Sequence, residues 1–172
     1  MRARTLRAGV WGILLATAGA QAGLPEVTVE AAGQRLVAEV AVSPDDRARG
    51  LAGRDHLAAD RGMLFVWPRP GPRRFWMKDT RIPLSVAFLD GQGRILNIHR
   101  MSPPAANRGG ISGWPADGYR RYPSRGPARF ALEANRGWFR RHGVGPGDRV
   151  RFRLPPGMAG PRALVVGPDE AQ

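Results

Sequence analysis

A chain of 172 residues with 27 Lys and Arg against 14 Asp and Glu carries a formal charge of +13, and its length suits one domain around one apolar core rather than two. Hydrophobic residues at 42% and charged residues at 24% exclude a disordered or fibrous chain, while 23 Gly and 16 Pro point to a turn-rich β protein rather than a helical bundle. Cysteine is absent, so there is neither a disulfide framework nor a lipid-bearing cysteine, and the fold must rest on its core.

The N-terminus has the three parts of an export signal. Arg2, Arg4 and Arg7 give a positive end, Val10 to Ala16 an apolar run, and the small residues that follow place cleavage after Ala20 or Ala22. The run is far shorter than the roughly 20 residues of a membrane-spanning helix, and no later segment is longer. The expectation is a signal peptide over 1–22, no transmembrane segment after cleavage, and a periplasmic or secreted protein. Without the three leader arginines, 24 basic and 14 acidic residues leave +10. That excess favours an anionic small molecule or a cell-envelope polymer as partner, and export argues against nucleic acid. No cofactor is implied, and the oligomeric state stays open.

Glu26 to Glu30 and Leu36 to Ala41 alternate apolar and polar residues around Ala31-Ala32-Gly33-Gln34, predicting two strands and a turn. A short helix follows, capped by Ser43, with Pro44 in its first turn, Asp45 and Asp46 at its positive end, and Gly50 or Gly53 as its stop. Met63 to Trp67 reads as a strand ended by Pro68-Arg69-Pro70-Gly71-Pro72, because proline lacks the ladder donor. Phe75 to Met77 restarts the sheet. Leu84 to Asp90 and Arg94 to Met101 flank Asp90-Gly91-Gln92-Gly93 as a hairpin, with Leu96 and Ile98 expected on one face and Ile95, Asn97, His99 and Met101 on the other.

Ser102 to Pro127 holds five Gly and five Pro without periodicity and reads as a long loop. Ala128 to Glu133 returns to strand, Phe130 and Leu132 on one side, Ala131 and Glu133 on the other. Asn135 is expected to cap a short helix carrying Trp138 and Phe139 and ending at Gly143. Val150, Phe152 and Leu154 alternate with Arg151 and Arg153 in a last strand. An irregular tail spans 155–172, in which Leu164-Val165-Val166 can add an edge strand. The fold class is thus mostly β (α+β), a compact antiparallel β-sandwich or partial barrel with two or three short helices.

The motifs Arg47-Ala48-Arg49-Gly50-Leu51, Gly62-Met63-Leu64-Phe65 and Phe75-Trp76-Met77-Lys78-Asp79-Thr80 are specific in combination. With Ile82-Pro83-Leu84, Ala87-Phe88-Leu89-Asp90, Ile98-His99-Arg100-Met101, Pro127 to Glu133 and Gly147-Asp148-Arg149-Val150, the chain resembles the family of domains of unknown function numbered 192, as an exported bacterial member. The resemblance implies a compact, mostly β domain, here 24–154, and no activity. Two positions depart from the family pattern: Ala52, where methionine is common, and Asp79, where asparagine is usual. The loop also lacks the cysteines some relatives carry, which argues against a metal or redox role.

Lys78 is the sole lysine among the 27 basic residues, a compact and tunable charge in an arginine-rich chain. With Trp76, Asp79 and Thr80 it forms the richest constellation: Lys78 to hold an anion, Trp76 to stack on a ring, Thr80 to orient the ligand. The plainer alternative has Asp79 and Thr80 bonding turn backbone while Lys78 pairs with Glu133. Glu133 itself is expected to be partly buried and paired with Lys78, Arg54 or Arg47; unpaired in a cleft, it would have a raised pKa and could transfer protons. His99 is a candidate because it sits on an organised strand, with a merely hydrogen-bonded histidine as its plain reading. No spacing of His56, His99 and His142 matches a metal site, and Ser102 and Ser124 lack a nucleophile-elbow context. Trp114, Tyr119 and Tyr122, among the arginines of the long loop, suit a glycan, an acidic polymer or a protein partner. The leading expectation is a ligand- or partner-binding module of the cell envelope. The alternatives are a hydrolase or transferase using Glu133, Asp79 or His99, and an envelope-associated adaptor with a basic surface.

Overall fold

The computed structural model describes residues 23–104 and 118–158, together with the backbone of residues 165–166. The expected leader, Trp114 and most of the tail lie outside the described residues.

The expected hairpin forms β1 (Glu26–Ala31) and β2 (Gln34–Ala41). Its two-residue turn has Ala32 and Gly33 at φ 48° and 74°, the doubly left-handed geometry that matches strand twist. Next comes α1 (Pro44–Arg49), where the Ser43 hydroxyl accepts the Asp46 N–H and Gly50 forms the C-cap. Then β3 (Arg61–Gly71) runs alongside β2 in parallel, Glu39 beside Met63 and Ala41 beside Phe65. Parallel neighbours need a crossover rather than a hairpin. The 42–60 crossover carries α1 over one face of the sheet. The remaining strand pairs among the described residues are antiparallel.

β3 passes through Pro68 and Pro70 instead of ending at Trp67. Its register against β8 (Ala128–Asn135) jumps from Val66–Phe130 to Gly71–Ala128, so the prolines occupy a bulge where no ladder donor is required. Only Arg74–Phe75 (β4) restarts as strand, and it pairs with β7 (Tyr122–Pro123) in a separate two-stranded sheet. β5 (Leu84–Leu89) and β6 (Ile95–Met101) form the expected hairpin. An irregularity opposite Phe88 and Leu89 corrects the face assignment: Ile95 joins Ile98 in one cluster, and Leu96 packs with Met101 in the other. Asn135 does not cap a helix. It ends β8, its amide donating to Leu57 O and Ala58 O at 3.0 and 2.8 Å, and α2 (Trp138–Arg141) starts after Gly137. β9 (Val150–Arg153) alternates as its sequence predicts, and β10 (Val165–Val166) adds the edge strand.

The eight-stranded sheet runs β10-β9-β1-β2-β3-β8-β5-β6 and curls. At one end a bridge between Arg94 and Arg149 joins the starts of β6 and β9, stopping short of a closed barrel. The inner face packs Val29, Leu36, Leu64, Leu132, Phe130 and Phe152 against Trp138 and Phe139 of α2. On the outer face, Met63, Phe65, Val86 and Phe88 are covered by Leu51, Leu57, Met77, Ile82 and Tyr122. β5, most of β8 and the Gly62 to Val66 part of β3 are therefore buried on both faces. Among the described residues no helix is long and apolar enough to cross a membrane.

Candidate functional site

Alternation along β8 sends Leu132 and Ala134 to the inner core and leaves Glu133 on the outer face with Ala131. Its register partners are Met63 on β3 and Val86 on β5, so a carboxyl stands in the middle of an apolar sheet. Gly62 makes this strand contact close: a β-carbon there would meet the Glu133 carbonyl oxygen at 2.4 Å.

Above Glu133 the covering layer leaves a cavity of about 90 Å³. The crossover brings Arg47, Arg49 and Leu51 from α1 and its C-terminal end, and β3 contributes Phe65 and Trp67. Arg74, Trp76, Lys78 and Thr80 complete the wall. Trp76 is 43% exposed at the rim, while Glu133, at 4%, forms the floor. Phe65 and the cavity-lining Phe75 meet edge to face, their ring centroids 4.8 Å apart, which fixes the aromatic wall.

Among the described residues, no hydrogen bond or ion pair reaches the Glu133 carboxyl, and burial is the one cause of its raised pKa. Burial alone pushes its pKa up to about 8, so it holds its proton at neutral pH. Each cation expected to pair with it is engaged elsewhere or stands apart. Arg54 makes a two-pronged ion pair with Glu39, both contacts at 2.6 Å. Arg47 donates to the carbonyls of Val42 and Val66 and lies 5.6 Å from the Trp67 ring centroid; burial lowers its pKa. The Lys78 ammonium makes no ion pair among the described residues, and it lines the cavity as an exposed side chain.

The structure thus brings together Trp76, Lys78, Thr80 and Glu133 from the expected set. The Thr80 hydroxyl donates to the Lys78 carbonyl at 3.2 Å, leaving its oxygen free to accept. Asp79 is exposed and does not line the cavity. It takes a left-handed φ of 53°, and its carbonyl receives the Gly53 N–H at 2.8 Å, so its place is in the turn. His99 shares a row with Glu133 through Val86, about 10 Å away at two strand spacings. Its Nε2 sits 2.8 Å from Pro123 O and 3.0 Å from the Asn97 amide, so it anchors β7 rather than facing the cavity. Tyr122 is buried in the outer core. Tyr119 packs near Trp76 at 6.3 Å, and the Arg121 guanidinium lies 4.6 Å from the Trp76 ring centroid. Sequence reasoning missed Trp67 and Arg74, whose positions depend on the β3 bulge; the Arg49-Gly50-Leu51 and Phe65 motif segments were the available signal.

The architecture is that of a small, mostly β domain, a curled mixed sheet with an acid-floored pocket under its covering layer. The chain belongs to the DUF192 family ("Uncharacterized ACR"), whose model matches residues 27–152. Similar solved structures include a protein described as a candidate transcription regulator from Sinorhizobium meliloti 1021. It is 32% identical, with a TM-score of 0.65 over 76% of this chain and 95% of that one. Another is a protein of unknown function from Novosphingobium aromaticivorans DSM 12444, 30% identical, with a TM-score of 0.62 over 83% of this chain and 99% of that one. No curated protein matches the chain.

Proposed function

We propose that this protein is an exported binding module of the cell envelope, periplasmic or secreted, whose pocket takes a small anionic molecule. The single observation that carries the reading is the carboxyl of the buried residue Glu133, which has no partner among the described residues and faces a cavity lined by Arg47, Arg74 and Lys78, itself in no ion pair among them. A native interior rarely leaves a polar group unpartnered, and a ligand oxygen is the partner that suits an acid at the floor of a cavity whose opening carries cations. The leader-like pattern over 1–22 supports export. Thermal-shift titration with inorganic phosphate, acetate and glucuronate, on the wild type and on Lys78→Ala, tests the pocket. Stabilisation of the wild type that Lys78→Ala abolishes supports the reading; silence of the wild type toward all three removes it.

One observation favours a second reading, a hydrolase or transferase. A carboxyl that keeps its proton at neutral pH is equipped to act as a general acid. Asp79 and His99 do not line the cavity, so Glu133 would have to act with the cations alone. Turnover of a hydrolase substrate panel that Glu133→Gln abolishes would establish it, and turnover unaffected by that change would exclude Glu133 as the acid.

A further inference from the structure

The cavity separates its charges by depth. Glu133 rises from a central strand and is buried, whereas Arg49, Arg74 and Lys78 are exposed at the opening and Arg47 is half-buried between them. Among the described residues no second carboxylate lines the cavity, so an amine or a metal cation would meet net positive charge and find one protonated acid. An undissociated carboxyl, by contrast, donates one hydrogen bond through its hydroxyl and accepts through its carbonyl. A ligand matched to this arrangement has a negative group for the opening and an oxygen acceptor for the floor.

Size narrows the class. A cavity of about 150 Å³ holds benzene, with its six heavy atoms, so about 90 Å³ encloses on the order of four, with the charged end left in the opening. Resting on the reading of this cavity as an anion pocket, we propose that its ligand is a small carboxylate with a second oxygen beside the carboxyl group, of the α-keto or α-hydroxy acid class. Its carboxylate meets Lys78 and the arginines, and its second oxygen accepts from the Glu133 carboxyl. A simple fatty acid satisfies only the first contact. It leaves the acid at the floor without a partner, which is the costly outcome.

Donation requires the Glu133 proton. Burial keeps it in place to about pH 8; above that the ionised carboxyl repels the ligand. The ionisable groups facing it are Arg47 and Arg49 from the α1 side, and Arg74 and Lys78 from the 74–80 segment. Its register partners Met63 and Val86 carry no charge. Glu39 and His99 stand one strand further out in the same row, Glu39 being neutralised by Arg54.

Calorimetric titration of the full chain with pyruvate, propionate and inorganic phosphate tests the proposal. Pyruvate is expected to bind at least about tenfold more tightly than propionate, a difference of about 1.4 kcal/mol, and to lose about tenfold between pH 7 and pH 9, one unit beyond the Glu133 midpoint of about 8. Glu133→Gln should keep the preference through its amide N–H and lose the pH dependence. Equal binding of pyruvate and propionate, wild-type binding unchanged with pH, or a pH dependence that survives in Glu133→Gln overturns the proposal. If phosphate alone binds, and Lys78→Ala weakens it, the anion pocket stands and the carboxylate class falls. If none of the three binds the wild type, both fall.

Discussion

Replacing Glu133 by glutamine changes stability in a direction that distinguishes a lone buried acid from a buried ion pair. The carboxyl's pKa is raised by burial from 4.5 to about 8 in the folded protein. Between those values the folded state binds the proton and the unfolded state does not, so stability is fully present below about pH 4.5 and is lost as pH rises toward 8. Each pH unit in that window costs up to about 1.4 kcal/mol, or on the order of 3 kcal/mol between pH 4.5 and pH 7. Glutamine has nearly the same shape and never ionises. Glu133→Gln should therefore match the wild type near pH 5 and exceed it at pH 7 to 8 by about 2–4 kcal/mol, roughly 4–16 °C in melting temperature for a domain of this size. Urea unfolding of both proteins across pH 5 to 8 measures this, with m-values checked for equality. A buried ion pair predicts the reverse: loss of about 3–5 kcal/mol at pH 7 when one partner is removed, with Lys78→Ala losing a similar amount. That pattern would refute the reasoning.

Other residues yield further expectations. Gly62→Ala should cost about 2–3 kcal/mol or more by urea unfolding, because its β-carbon would press on the Glu133 carbonyl at 2.4 Å and on Leu36 at 3.1 Å. Asp79→Asn should be neutral or stabilising by a few tenths of a kcal/mol, since asparagine suits the left-handed φ of 53°, and it should leave ligand titrations unchanged. Ala32→Asn, at φ 48° in the β1–β2 turn, should raise stability by about 0.5–1 kcal/mol.

Much of the fold was legible because two-residue alternation is a local signal. It set the faces of β8 and β9, and with them the outward-facing Glu133. The caps of α1 were equally local, with Ser43, Pro44 and Gly50 acting as their chemistry predicts. Long-range choices were not legible. Nothing near β2 or β3 announces that they run parallel, and the prolines of β3 end a strand only if every donor is needed, which a bulge relaxes. The same limit governs the site. Glu133, Lys78 and Trp76 could be nominated from residue type, yet whether Lys78 reaches Glu133 depends on how the turn at Met77 to Thr80 is held by Gly53. Arg54 was a reasonable partner for Glu133 until Glu39, two strands away in the same row, proved to hold it.

The protonation state of one carboxyl tests the account most directly. Carbon-13 NMR titration of the Glu133 side chain, assigned by its absence in Glu133→Gln, should show an undissociated acid at pH 7 with a midpoint near 8. A carboxyl already ionised at pH 6, with an ordinary midpoint, would contradict it.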